Sequence, residues 1–239
     1  MKKKFVAIAL IATFILASCV SRRANKKRDM ARSYLTQASL DITTYNDKND
    51  SDSLRKALNN IDESINYYPT IAARGMKATL LFQLGKLPES KKLFEELLKE
   101  KKLTKAKRAD TLNNYAITLY QLGQTAAAQQ TWRELINNPH YISPELAYFN
   151  LGYVELNEAA HTQAEQKKDF TEKHLHNALS YFKSAISISR EYIDAYFFTG
   201  QTLVSLNKID EARDYFRTIL TINPEHTSAI AMLKSLENV

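Results

Sequence analysis

Apolar side chains recur at intervals of three and four residues along most of this 239-residue chain. From about residue 30 to the end, glycine and proline are few, and polar side chains fill the positions between the apolar ones. This spacing matches the turn of an α-helix, about 3.6 residues, rather than the alternation of a strand. The pattern therefore predicts an all-α protein built from short helices that pack side by side.

The helical pattern contains an internal repeat of 34 residues, and its clearest copy spans residues 193–226. Repeats of this length indicate stacked helix hairpins, each burying its apolar face against the next. Small residues would let the two helices approach closely, large residues would fill the seam, and a proline would end the second helix. The residues at these places are Tyr196, Gly200, Leu203, Ala212, Phe216 and Pro224.

Earlier copies of the repeat precede this one. The copy at 109–142 follows the pattern closely, with Trp132 in the place of Phe216. The copy at 71–104 is weaker, because Arg74 stands where a large residue is expected and Ser90 where a small apolar one is expected. The first copy, at about 31–70, contains a run of polar residues at 46–51 that predicts a loop.

The copy at 145–191 fits the pattern only if residues 158–174 are an insertion. The insertion has no glycine or proline, so we expect it to lengthen both helices of its hairpin and to project as a second contact surface. The last segment, 227–239, predicts one more helix that caps the apolar edge of the final repeat. The helical domain is thus predicted to span 30–239.

The residues at the repeat positions resemble the consensus of the tetratricopeptide-repeat (TPR) family. The resemblance implies a right-handed superhelix of antiparallel helix hairpins, with about five repeats and a C-terminal capping helix. It also implies a protein-interaction scaffold, because stacked hairpins of this kind present a concave groove lined by the first helix of each repeat.

The positions that would face this groove are rich in aromatic and amide side chains. Amides can pair with the backbone of a bound peptide, and aromatic rings supply anchor area, so the groove is predicted to bind a segment of a protein partner. The alternative is that some of the aromatic rings only pack between neighbouring repeats. The predicted groove residues are Phe82, Asn113, Asn114, Ile117, Tyr120, Gln121, Phe149, Asn150, Tyr153, Phe197 and Gln201, with Phe198 at an adjoining groove position.

The N-terminus resembles a bacterial lipoprotein signal peptide. Three lysines precede an apolar stretch, residues 5–16, that is too short to span a bilayer. It runs into a lipobox-like sequence, Leu16, Ala17, Ser18 and Cys19.

The resemblance implies that residues 1–18 are removed and that Cys19, the only cysteine, carries lipid. Two alternatives to this lipoprotein interpretation are open. The protein could be an ordinary secreted protein in which the cysteine occurs by chance, or the apolar stretch could be a short membrane anchor. If Cys19 carries lipid, residues 19–29 are predicted to be a basic tether beside the membrane.

The chain carries a net charge of +7, and much of the excess is local. Five basic residues lie within 22–28, where they would attract anionic lipid headgroups. A nucleic-acid partner is not expected, because an exported chain rarely meets one. A second basic cluster, at 99–108, is predicted to lie in a turn between repeats, where solvated lysines are usual; an acidic partner or lipopolysaccharide phosphate is the alternative.

The sequence lacks the motifs of an enzyme. There is no nucleophile elbow and no glycine-rich phosphate loop, and the single cysteine is assigned to lipid. No cofactor and no small-molecule substrate are expected. A metal site built from His161, His174 and His176, and with it a metal-dependent enzyme, is the remote alternative, since no His-x-x-x-His pair is present.

Among TPR lipoproteins the chain most resembles the type IV pilus biogenesis lipoproteins, or pilotins, at 28–32, 112–115 and 149–152. That resemblance implies a role in helping a secretin ring assemble in the outer membrane. The alternative function is an adaptor for peptidoglycan hydrolases or for β-barrel assembly. Val20, where aspartate often signals inner-membrane retention, favours an outer-membrane lipoprotein facing the periplasm.

Overall fold

The computed structural model describes the backbone of residues 2–48 and 50–237 and the side chains of residues 22–47, 50 and 52–237. The lipobox side chains, Leu16, Ala17, Ser18 and Cys19, lie outside the described residues, so the lipid anchor stays a prediction. The described part of the chain forms eleven α-helices and no strand. The prediction of an all-α fold is confirmed.

The chain divides into two compact units, of which the first is Met1–Leu103. This unit contains two helix hairpins, which correspond to the predicted repeats at 31–70 and 71–104. Its helices are α1 (Lys2–Lys48), α2 (Ser51–Tyr67), α3 (Ile71–Gln83) and α4 (Leu87–Leu98).

The second unit, Thr104–Val239, contains three hairpins and a final helix. The hairpins correspond to the predicted repeats at 109–142, 145–191 and 193–226, and the final helix lies where the cap was predicted. The helices are α5 (Lys105–Gln121), α6 (Thr125–Ile136), α7 (Pro144–Ala164), α8 (Lys168–Ile188), α9 (Ile193–Ser205), α10 (Ile209–Ile222) and α11 (Thr227–Leu236).

Helix α1 differs from the sequence prediction at both ends of the first repeat. The backbone of residues 19–29, predicted as a tether, is helical and continuous with the rest of α1. Of the loop predicted at 46–51, residues 46–48 are the last turn of this helix. The turn to α2 is short because the side chain of Asp50 caps that helix, accepting from the backbone N–H of Asp52 at 3.1 Å. Similarly, α5 begins at Lys105, so part of the basic cluster at 99–108 is helical rather than turn.

The structure explains both departures of the repeat at 71–104. Ser90 is fully buried in the seam, and its hydroxyl donates a hydrogen bond to the backbone oxygen of Ala78 at 2.8 Å. Arg74 places its Nη2 2.6 Å from Oε1 of Glu100 at the end of the hairpin. The hydroxyl of Ser90 and the Nη2 of Arg74 each have a partner, so both side chains are accommodated without interrupting the helix packing.

Four of the hairpins turn in the same way. The second residue after the first helix has a positive φ, and the next backbone N–H donates to the carbonyl five residues earlier, for example Lys86 to Leu81 at 2.9 Å. Gly85 and Gly123 occupy this place in two hairpins, whereas Gln166 and Asn207 occupy it in α7–α8 and α9–α10. A left-handed conformation costs a residue with a side chain about 1–2 kcal/mol, and asparagine less.

The hairpin α7–α8 is the longest of the second unit, with 21 residues in each helix. The inserted residues 158–174 continue both helices and form the turn between them. They also provide a hydrogen-bond partner for an unusual core residue, Glu155, which stands where the repeats at 71–104, 109–142 and 193–226 have leucine. Its Oε2 accepts hydrogen bonds from His174 at 2.8 Å and from Asn177 at 3.1 Å, so the buried carboxylate is paired.

Candidate functional site

Aromatic side chains of the second unit surround a pocket where α5, α7 and α9 meet. The pocket has a volume of about 220 Å³. Clefts that hold small molecules are larger, roughly 300–1,000 Å³, so this pocket suits a single side chain. Its lining is Ile117, Tyr120 and Gln121 of α5, Trp132 of α6, Phe149, Asn150 and Tyr153 of α7, and Phe198 of α9.

Phe149 is the centre of the aromatic lining. Its ring centroid lies 5.6 Å from that of the buried Phe182, 5.5 Å from Phe198 and 5.1 Å from Tyr192. Tyr153 closes the cluster, meeting the ring of Phe198 edge-on at 5.5 Å. Such contacts fix the ring orientations, so the pocket wall is formed before any partner binds.

Hydrogen bonds hold α5 and α7 together along the pocket. The side chain of Asn157 donates to the hydroxyl of Tyr120 at 2.7 Å, and the side chain of Asn150 donates to Oδ1 of Asn113 at 3.2 Å. Gln121 and Tyr153 are the exposed members of the lining. These two side chains are therefore accessible to a partner.

Asn113 does not face the groove as predicted. It is only 6% exposed, and its Oδ1 also accepts a hydrogen bond from the indole N–H of Trp132 at 3.1 Å. A buried indole N–H needs an acceptor, and Asn113 provides one. The prediction that Asn113 lies on the binding surface is wrong, because this amide is used inside the protein.

Two partly buried tyrosines of the second unit, Tyr141 and Tyr192, remain neutral at physiological pH. Burial raises the pKa of Tyr141, and the carboxylates of Glu145 and Asp110 raise it further. Burial likewise raises the pKa of Tyr192, with added effects from Asp194 and Glu145. Both hydroxyls therefore stay protonated, and the negative charge in this region comes from the carboxylates alone.

The tetratricopeptide-repeat family matches residues 170–236, which include most of α8 and all of α9, α10 and α11. This chain folds as a TPR protein. Two pilus proteins have similar structures. PilF from Pseudomonas aeruginosa is 16% identical over 90% of this chain and 85% of its own, with a TM-score of 0.63. PilW, a type IV pilus biogenesis factor, is 17% identical over 90% of this chain and 84% of its own, also with a TM-score of 0.63.

YrrB, a TPR protein with an unusual peptide-binding site, is 19% identical over 90% of this chain and 97% of its own, with a TM-score of 0.51. At these identities the likenesses show the TPR fold. No curated protein matches the sequence significantly. The TPR fold is typically a non-catalytic scaffold for protein–protein interaction.

Besides Asn113, the TPR structure leaves four further predicted groove residues outside the pocket. Asn114 and Gln201 are half-buried on α5 and α9 and do not line it. Phe197 packs against Phe216 and His226, with ring centroids 5.7 and 5.8 Å apart, so it belongs to the last hairpin's core. Phe82 is half-buried on α3, in the first unit of the TPR chain.

Sequence reasoning about the TPR pattern missed the surroundings of two core positions. Trp132 was assigned to the seam alone, although it also lines the pocket. Glu155 was not singled out, although a carboxylate at a leucine position next to an insertion could have indicated a buried polar contact. In both cases the periodicity identified a core position and could not show what the side chain touches.

The three histidines of the insertion region lie beside separate carboxylates. His161 is 3.4 Å from Glu165, His176 is 3.7 Å from Glu172, and His174 bonds to Glu155. Hydrogen bonding and the charge of Lys167, together with His161, lower the pKa of Glu165. In the described part of this TPR chain, no three His, Cys, Asp or Glu side chains come together as a metal site requires.

No helix among the described residues is long and apolar enough to span a membrane.

Proposed function

We propose that this chain is a lipid-anchored, non-catalytic TPR scaffold of the bacterial envelope, and that its aromatic pocket binds an apolar side chain of a protein partner. The observation that carries the proposal is the pocket itself, an aromatic cavity of about 220 Å³ with two exposed side chains, Gln121 and Tyr153, at its edge.

The pocket has the features of an interaction hot spot. Binding energy at protein interfaces concentrates in a few aromatic residues around well-packed cavities. Here Phe149 and Phe198 form fixed walls, while Tyr153, which is 36% exposed, offers further apolar area. The amide of Gln121 can pair with the main chain of the partner beside the inserted side chain. A peptide segment with one large apolar anchor therefore fits this site.

The pathway that we propose is type IV pilus assembly, in which the chain would help a secretin assemble. This is supported by the similar folds of the pilus proteins PilF and PilW and by the resemblance of residues 28–32, 112–115 and 149–152 to pilotin sequences. An adaptor of peptidoglycan hydrolases or of β-barrel assembly would use the same groove. The identity of the bound partner therefore discriminates between these pathways.

Anchoring is proposed through lipid on Cys19, at the outer membrane and facing the periplasm. Several acyl chains on one residue would hold the protein durably, since each buried CH₂ contributes about 0.8 kcal/mol. Arg22, Arg23, Lys26 and Lys27 are exposed on α1 directly after this cysteine. Basic residues near an anionic surface contribute about 1 kcal/mol each, so they would reinforce the anchor.

The groove proposal is tested by placing a photo-crosslinking amino acid at position 121 in the native cells. We expect a crosslink to a secretin or another pilus assembly protein. Tyr153→Ala should reduce its yield, with the affinity for the partner falling about tenfold or more, as at interface hot spots. Phe170→Ala is the matched control, because this aromatic residue is 58% exposed and lies outside the pocket.

A crosslink that survives Tyr153→Ala unchanged would refute the groove assignment. A crosslink to a wall hydrolase or to a barrel assembly protein would retain the groove and replace the pilus pathway.

The anchor is tested by Cys19→Ser. We expect this variant to lose palmitate labelling and to leave the membrane fraction, because serine cannot form the thioether that carries the lipid. Ser21→Ala, two residues further on, is the control that should stay membrane-bound. Retention of Cys19→Ser in the membrane after a high-salt wash, which screens the basic residues, would contradict the lipid anchor.

A further inference from the structure

A second cleft lies between the end of the α7–α8 hairpin and the α9–α10 turn. Its volume is about 610 Å³, within the range of roughly 300–1,000 Å³ of clefts that bury a ligand. It shares no lining residue with the aromatic pocket. The inserted residues build one side of the cleft, so this feature is additional to the repeat pattern.

The two unusual hairpin turns both border this cleft. Gln166 has a φ of 60° and Asn207 a φ of 59°, where equivalent turns use Gly85 and Gly123. All four turns have the same hydrogen-bond pattern, so glycine would satisfy the backbone at every one of them. Side chains are present at the two turns that line the cleft and absent from the two that do not. This distribution indicates a use for the side chains that offsets the backbone strain.

Three carboxamides line the cleft, those of Gln163, Gln166 and Asn207. Within the part of the chain that the structure describes, none of these side-chain amides makes a hydrogen bond. A carboxamide donates and accepts at the same time, which matches the N–H and C=O groups of a peptide backbone. Leu175 and Leu206 add apolar area to the same lining.

The composition of the cleft disfavours other ligands. No aromatic ring lines it, so it offers no stacking platform for a nucleobase or a sugar. Lys168 and Glu172, four residues apart on α8, are its charged lining residues and have opposite signs. A polyanion would therefore gain little here.

We propose that this cleft binds an extended polypeptide segment of a partner protein through the segment's main chain, using the amides of Gln163, Gln166 and Asn207. It is a second interaction surface, built by the insertion and independent of the aromatic pocket. The repeat array and its insertion would thereby hold two segments at once, with an increase in avidity where both belong to one partner.

The test is selection of peptides from a random phage-displayed library on the full-length chain in detergent, followed by fluorescence anisotropy titration. For peptides that bind the cleft, the double variant Gln166→Gly, Asn207→Gly should weaken binding about tenfold or more, because two hydrogen-bonding amides are lost. The melting temperature should not fall, since glycine suits a positive φ. Gln124→Ala, an exposed amide in the α5–α6 turn, and Tyr153→Ala should both leave this affinity unchanged.

Several results would overturn the proposal. One is that every selected peptide binds the double variant as tightly as the wild type, or requires Tyr153. A second is that an N-acetylglucosamine oligosaccharide binds the wild type and not the double variant, which would make the cleft a glycan site. Because the Tyr153 variant reports on the aromatic pocket alone, failure at one surface is distinguishable from failure at the other.

Discussion

Replacing Phe182 by alanine is expected to lower the free energy of unfolding by about 3–5 kcal/mol, the usual cost of removing a buried aromatic ring. Phe182 is completely buried in α8. Its ring contacts Phe149 at 5.6 Å and Phe198 at 5.8 Å between centroids, and both of these line the aromatic pocket. The loss should therefore also weaken partner binding. Urea unfolding followed by circular dichroism measures the first effect, and crosslinking yield at position 121 measures the second.

Phe216→Ala is the matched control for this experiment. Phe216 holds the equivalent position in the next hairpin and is also completely buried. Its ring packs against Phe197, which does not line the pocket, whereas Phe182 packs against two rings that do. We expect a similar loss of stability, about 3–5 kcal/mol, with crosslinking largely retained in the folded fraction. Equal losses of crosslinking in both variants would contradict a specific role for Phe182 in shaping the pocket.

Gly200→Ala is expected to lower the free energy of unfolding, because overpacking of a core costs about 1–3 kcal/mol. A Cβ at this position would lie 2.6 Å from the Cε1 and Cζ atoms of Phe216. The ring is fully buried and close-packed, so it cannot move aside freely. The loss should exceed the gain of about 1 kcal/mol that alanine brings to a helix in place of glycine.

Gly75→Ala is the opposite case and serves as the control. A Cβ on Gly75, within α3, would meet no atom within 4 Å. The better helix propensity of alanine should then stabilise the chain by about 0.5–1 kcal/mol. Chemical denaturation of both variants should therefore give changes of opposite sign. A stabilised Gly200→Ala variant would show that the seam has room for a methyl group.

The seam between the helices could be predicted residue by residue from the sequence. Gly200, Ala212 and Phe216 recur at fixed intervals because two helices can approach closely only where small and large side chains meet in register. The structure buries Ala212 and Phe216 and brings Phe216 against Gly200. Periodicity is a local property, and helix packing of this kind depends mainly on it.

The candidate site could be predicted only in part. Six of the predicted groove residues line the pocket, among them Tyr120, Phe149 and Tyr153. Asn113 and Phe197 share the same helical faces, yet the structure uses them inside the protein, for the indole of Trp132 and the ring of Phe216. Helical spacing gives the face on which a residue lies, but not the side chains that neighbouring helices bring to it.

The sequence by itself determined the helices, the hairpins of the repeat and the longer pair of helices at the insertion, because each depends on contacts between residues close together along the chain. Only the tertiary structure decided the pairing of Glu155 with His174, the pocket around Phe149, and the cleft between Gln166 and Asn207. These features depend on distances between side chains of different helices. Such distances are set when the hairpins pack together, and they leave no periodic trace in the sequence.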